Sequence, residues 1–169
     1  MKLFFMRHAT AEIVASKPDA ERVLTDRGKQ EAAQAGEFLR GYRINKILVS
    51  YVKRTIETAN IILENNTIGK IEEVTELYEG KEEDVLNLIA DQGEEDKNIL
   101  IIGHNPLIYS TALSLISPNG REYETLLTSQ MMPAKIIIVE FPSLNNWSDI
   151  ADLLGNTLGN IVQIFTPET

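Results

Sequence analysis

KLFFMRH, residues 2–8, is an apolar run that ends on an arginine and a histidine. Residues 98–105, NILIIGHN, repeat the pattern and stop at His104. The chain has 2 histidines in 169 residues, and both stand at this kind of place. Short apolar runs bounded by polar residues predict strands buried on both faces. Such strands belong to a mainly parallel sheet covered by helices. Runs as apolar as these should lie at the centre of that sheet.

Outward from the two runs, helix and strand patterns alternate. LTDRGKQEAAQAGEFLRGY (24–42) predicts a helix with Thr25 as N-cap, Ala32, Ala35 and Leu39 on one face, and Gly41 as stop. NKILVS (45–50) predicts a strand, and RTIETANIIL (54–63) a helix with Ile56, Ala59 and Leu63 inward. IEEVTELY (71–78) has mixed periodicity and reads as a further strand. EEDVLNLIADQ (82–92) is an amphipathic helix with Val85, Leu88 and Ile89 on one face. Pro106 opens the helix PLIYSTALSLI (106–116), and AKIIIVEF (134–141) and NIVQIF (160–165) are two more strands. Without repeats, low-complexity stretches or a linker, the expectation is one α/β domain over residues 1–169.

Composition narrows the function classes. The chain is 43% hydrophobic and 24% charged, as expected of a globular protein. Its net charge of −9 (16 Lys+Arg against 25 Asp+Glu) repels phosphate backbones and anionic lipid, which argues against nucleic acid and membrane partners. A small anion pocket remains compatible, because local arginines act within a Debye length while distant acids are screened. The absence of cysteine excludes disulfides, a thiol nucleophile and cysteine-ligated metal. Arg7 ends the first apolar run too early for a signal peptide, and no run reaches the ~18 residues of a membrane span. The expected compartment is the cytoplasm.

In open α/β sheets, ligands bind beyond the carboxyl ends of the strands. Three predicted strands carry unusual residues there: Arg7-His8, Ser50 with Arg54 soon after, and His104-Asn105. Each has an ordinary reading alone. A histidine beside a core strand is commonly a hydrogen-bonded structural residue, and Arg7 or Arg54 could pair with one of 25 acids. Asn105-Pro106 fits helix capping. Taken together, those readings need both histidines to reach strand ends independently. Two arginines supply planar forks for phosphate oxygens, and a neutral imidazole can attack phosphorus. Phosphoryl transfer needs in-line positioning and charge neutralisation, which such a cluster supplies. Fixed positive charge and only two histidines make a poor metal site.

Three stretches taken together resemble the histidine phosphatase superfamily, the phosphoglycerate-mutase-like fold. MRHATAE (6–12) resembles its first signature, with Ala9 where glycine is usual. VSYVKRTIETA (49–59) resembles the second block, with Tyr51 in place of the common proline, and LIIGHNP (100–106) the third. LTDRGKQEA (24–32) also matches in order and spacing. The ending from Trp147 to Pro167 is most similar to the SixA-type phosphohistidine phosphatases.

The resemblance implies a three-layer α/β/α sandwich with a mixed, mostly parallel sheet, and no metal or other cofactor. It implies His8 as a nucleophile that becomes phosphorylated, with Arg7, Arg54 and His104 lining the phosphate pocket. The general acid of the family would fall in ELYEGKEEDV (76–85), where Glu79 sits best, although Glu82, Glu83 and Asp84 read as charges favouring a helix start. An alkyl phosphate expels an alkoxide whose conjugate acid has a pKa of roughly 16, so acid assistance matters greatly. Phosphohistidine expels an imidazole whose conjugate acid lies near ~6.5 and needs little help. The expected partner is therefore a phosphohistidine-bearing protein, such as a phosphotransfer domain. A small phosphate ester is the alternative. A non-catalytic phosphate-binding module is disfavoured by the complete set of histidines and arginines. A nucleotide binder is disfavoured because the chain has no G-x-G-x-x-G or G-x-x-x-x-G-K run.

Overall fold

The computed structural model describes residues 1–118, 121–153 and 159–168. Six strands form one sheet: β1 Lys2–Arg7, β2 Lys46–Ser50, β3 Lys70–Val74, β4 Asn98–Gly103, β5 Ile136–Glu140 and β6 Asn160–Phe165. Their order is β3-β2-β4-β1-β5-β6. The two runs that end in histidine are the central pair, aligned in parallel with Arg7 opposite Gly103. β2 pairs in parallel with β3 and β4, while β5 runs antiparallel to both β1 and β6. The mixed α/β fold expected from the sequence is the one observed.

Alternate side chains of the central strands feed two cores. Phe4, Met6, Leu100 and Ile102 point to one face and pack against Ala32, Ala35 and Leu39 of α1 (Asp26–Leu39) and Ala59 and Ile62 of α2 (Lys53–Glu64). Leu3, Phe5, Ile99 and Ile101 point to the other. They meet α4 (Glu82–Ala90), α5 (Leu107–Ser114), α6 (Arg121–Thr128) and Trp147, whose indole Nε1 donates to Asp96 O at 2.6 Å. Strands covered on both sides can be apolar at every position, which is why β1 and β4 lack alternation. Edge strand β3, KIEEV, is exposed except at Val74, and its charges discourage pairing with another chain. No helix among the described residues is long and apolar enough to cross a membrane.

Some elements differ from the sequence expectation. The stretch 71–78 divides: β3 ends at Val74 and a short helix, α3 (Glu76–Glu79), follows, burying Leu77 before Gly80 stops it. In α2 the buried face is Arg54, Thr55, Thr58, Ala59 and Ile62, so Ile56 and Leu63 are only partly covered. A count of apolar residues alone rotates that face, because polar residues occupy part of it. In α4, Leu86 is more deeply buried than Leu88. Helix α6 and a 3-10 turn at Asp19–Glu21 have no counterpart in the sequence expectation. Within the Trp147–Pro167 ending, residues 154–158 lie outside the described residues.

Candidate functional site

The parallel ladder continues one residue beyond β1, where His8 N–H donates to Gly103 O at 3.0 Å. The backbone then leaves the sheet under restraint from two helices. Ala9 N–H donates to Thr58 Oγ1 at 3.2 Å, and Thr10 N–H donates to the buried Glu31 carboxylate at 2.8 Å. Thr25 caps α1 by accepting from Gly28 N–H at 3.0 Å, and its own N–H reaches Thr10 O. Gly28 has to be glycine: a Cβ there would stand 1.9 Å from Thr10 O. Glu57 accepts from Leu24 N–H at 2.6 Å. The stretches LTDRGKQEA and RTIETA thus clamp the turn that carries His8. Ala9 fits where glycine is usual, since Ala134 is the only non-glycine residue with positive φ among those described.

At the carboxyl edge, the His8 and His104 rings lie 5.1 Å apart, centroid to centroid. Between them stands Arg54, buried at the first turn of α2. Its Nε–H donates to His8 Nε2 at 3.2 Å, and its Nη2–H to His104 Nδ1 at 3.3 Å. These contacts fix both tautomers. His8 Nδ1–H donates to Ala9 O at 2.7 Å, a partner that can only accept, so Nε2 carries the lone pair. In His104, Nδ1 carries the lone pair and Nε2–H donates to Ser50 Oγ at 2.9 Å. Both rings are therefore neutral. Burial lowers the His8 pKa to about 4; the hydrogen bond to Ala9 opposes this, and the Arg54, Arg7 and Arg22 charges add to it. Burial, then His8 and Arg54, lower that of His104 to about 3.

Arg7 sits on the other flank. Its Nη1–H donates to Met131 O at 2.9 Å, while its buried Nε has no partner among the described residues. Asn105 is not the helix cap that its position suggested. Pro106 is the N-cap of α5 and Asn105 Nδ2–H shares Met131 O with Arg7, at 3.2 Å. Asn105, Gln130, Met131 and Met132 join Arg7 around an open pocket of about 360 Å³.

Glu79 stands apart from the histidines. It accepts from Tyr51 O–H at 2.7 Å, and aromatic edges lead inward from there, from Tyr51 to Tyr78 (5.5 Å) and from Tyr78 to His104 (5.3 Å). The carboxylate that reaches the cluster is Asp19, from the turn before α1. Arg54 Nη2–H donates to its Oδ2 at 2.8 Å, as does the Tyr78 O–H, also at 2.8 Å. Burial works to raise the Asp19 pKa, but hydrogen bonds from Arg22, Tyr78 and Arg54 outweigh it and hold the carboxylate ionised. Sequence reasoning missed Asp19 and Tyr78. Neither lies in a strand-end pattern: the 3-10 turn at Asp19–Glu21 brings in the one and the short helix α3 the other.

An imidazole lone pair beside a buried guanidinium edge suits attack on an electrophile whose anionic oxygens the guanidinium holds. Among the described residues, no three His, Cys, Asp or Glu side chains gather as a metal-binding set.

Residues 3–86 match the family model described as histidine phosphatase superfamily (branch 1). A phosphohistidine phosphatase SixA homolog from Haemophilus influenzae is 30% identical over 123 residues, which is 64% of this chain and 73% of that protein. A solved structure assigned as a phosphohistidine phosphatase SixA from Nakamurella multipartitia aligns with a TM-score of 0.84 at 22% identity, covering 99% of this chain and 96% of that one. The protein histidine phosphatase SixA complexed with tungstate aligns with a TM-score of 0.77 at 24% identity, covering 99% and 97%.

Proposed function

The chain belongs to the histidine phosphatase superfamily, and on that premise we propose that it removes phosphate through a phosphohistidine intermediate on His8. The observation that carries this reading is the His8 tautomer. Its Nδ1–H is committed to Ala9 O, and its Nε2 lone pair faces the Nε/Nη2 edge of Arg54. A phosphoryl group held by that edge presents phosphorus to Nε2. The lone pair forms a P–N bond while the bond to the leaving group breaks in line with it. Water then attacks phosphorus, the P–N bond to His8 breaks, and inorganic phosphate leaves. Arg54 and Arg7 offset the charge spread over the transferring oxygens. An arriving phosphoryl dianion favours protonation of the His104 ring, which can then donate from Nδ1.

The substrate we assign is phosphohistidine in a protein, such as a phosphotransfer domain. An imidazole leaving group needs little acid help, and no carboxylic acid stands beside His8 among the described residues. Asp19 is held ionised, and Glu79 contacts Tyr51 instead. Apolar side chains on the segments framing this edge, Ile13, Val14, Tyr51, Leu127 and Met132, are exposed, as suits contact with a macromolecule. Binding of tungstate by a structural relative is consistent with an oxyanion at such a site.

The deciding experiment compares release of phosphate from a phosphohistidine peptide with release from a panel of sugar phosphates. Preference for the peptide, with an acid-labile phosphoenzyme that His8→Ala lacks, is the expected result. Strong preference for a sugar phosphate would replace this assignment with a small-molecule phosphomonoesterase. Turnover without His8 would mean that water attacks the substrate directly.

A further inference from the structure

We propose that Asp19 is a positioning residue for the phosphoryl-transfer step, acting through Arg54; this rests on the reading of His8 and Arg54 given above. Arg54 presents two edges of its guanidinium, each to a different set of partners. The Nε/Nη2 edge faces His8 Nε2 and His104 Nδ1, the place assigned to the phosphoryl group. The Nη1/Nη2 end is gripped by Asp19: Nη1–H donates to its backbone O at 2.7 Å and Nη2–H to its Oδ2 at 2.8 Å. A planar fork gripped at one end cannot swing about its stem, so its side edge keeps a fixed aim.

The grip is itself supported. Arg22 Nη1 donates to Asp19 Oδ1 at 2.7 Å and Tyr78 O–H donates to Oδ2. The Asp19 side chain is half exposed while that of Arg54 is 5% exposed, so an anchor at the surface sets the direction of a buried cation. The same contact neutralises part of the Arg54 charge, through Nη1 and through the Nη2 that also faces His104. The edge that a phosphoryl group takes is left to the two imidazoles, whose hydrogen bonds an arriving phosphoryl oxygen replaces.

A carboxylate on the catalytic arginine invites an opposite reading, in which it competes with phosphate. The two readings predict changes of opposite sign. If Asp19 positions Arg54, Asp19→Ala lowers kcat by about 10- to 100-fold, the scale expected of a group displaced by about 1 Å. Inorganic phosphate, titrated calorimetrically without turnover, then binds more weakly, and Asp19→Asn, which still accepts a hydrogen bond, recovers part of both losses. In an Arg54→Ala background, adding Asp19→Ala changes nothing further, because a residue that acts through Arg54 has no lever without it.

Tighter phosphate binding by Asp19→Ala would overturn the proposal in favour of competition. Unchanged kinetics, or an additional loss in the Arg54→Ala background, would reduce Asp19 to a loop anchor. Those results leave the assignment of His8 intact, since it is tested by the phosphoenzyme of the unmodified protein. If that phosphoenzyme does not form, both readings fall.

Discussion

The two ends of the central sheet differ in how they treat charge. At the amino edge a cleft of about 490 Å³ is lined by Arg43, Asn45, Lys70, Glu95 and Asp96. Its ion pair is wet: Lys70 meets Glu95 at 3.2 Å, with side chains 56% and 69% exposed. At the carboxyl edge the pocket beside Arg7 is smaller, about 360 Å³, yet a buried guanidinium stands between two neutral imidazoles and Arg7 Nε has no partner among the described residues. Exposed ion pairs are worth little and signal little. Buried polar groups left short of partners oppose folding, so their presence calls for another explanation. Volume is the weaker indicator of chemistry here, and unsatisfied buried charge the stronger.

The comparison breaks first at His8. Replacement by Ala should cut turnover by roughly 10⁴-fold or more and abolish any phosphoenzyme in an acid-controlled quench. Loss of less than tenfold would remove the special standing of the carboxyl edge. Arg54→Lys comes next, with a fall of about 10²- to 10³-fold in kcat/KM while the thermal melt stays cooperative. A lysine keeps the charge but has no planar edge to face both rings, so near-normal rates would show that charge alone suffices.

The pH dependence sharpens the contrast. Since burial lowers the His8 pKa to about 4, the nucleophile stays neutral on mild acidification, and kcat/KM should be flat from about pH 8 to about pH 5. Stability should behave differently. Between the ordinary value of 6.5 and about 4 the unfolded chain binds protons that the folded His8 refuses, so urea midpoints should fall as pH drops through that window, with His104 adding to the trend. A midpoint that rises on acidification over the same range would contradict the buried neutral pair.

Smaller effects follow farther from the rings. Glu79→Gln should change phosphohistidine turnover by less than about tenfold, and because Glu79 contacts Tyr51 and not the histidines, any alkyl phosphate hydrolysis should also fall short of the roughly 10²-fold or greater loss that marks a general acid. Both substrates have to be run on the same variant; equal large losses would mean that Glu79 supports the site as a whole. At the amino edge, Lys70→Ala should leave kcat/KM within about twofold and stability within about 1 kcal/mol. A larger effect on catalysis would join the two ends and spoil the comparison.

The parts of the site that the sequence makes legible are those governed by local pattern. KLFFMRH and NILIIGHN are too apolar to lie anywhere but the centre of a covered sheet, and a strand delivers its last residues to the carboxyl edge whatever surrounds it. Local pattern therefore places Arg7, His8 and His104 at strand ends, with Arg54 soon after another, while periodicity does not make those strands neighbours; the order β3-β2-β4-β1-β5-β6 does. The succession of strands and most helices along the chain follows from the same periodicities. Tertiary structure alone decided what depends on the path of a loop or on a partner distant in the chain. The turn at Asp19–Glu21 brings a carboxylate onto Arg54, while Glu79, closer to the expected motif, turns to Tyr51. The face of α2 is rotated because Arg54, Thr55 and Thr58 are buried by hydrogen bonds, which a hydrophobic count does not register. The tautomers of both histidines are set by Ala9 O, Ser50 Oγ and Arg54 together. Hydrophobic burial is written residue by residue along the chain, whereas a hydrogen bond is directional and exists only once folding has brought both partners within reach.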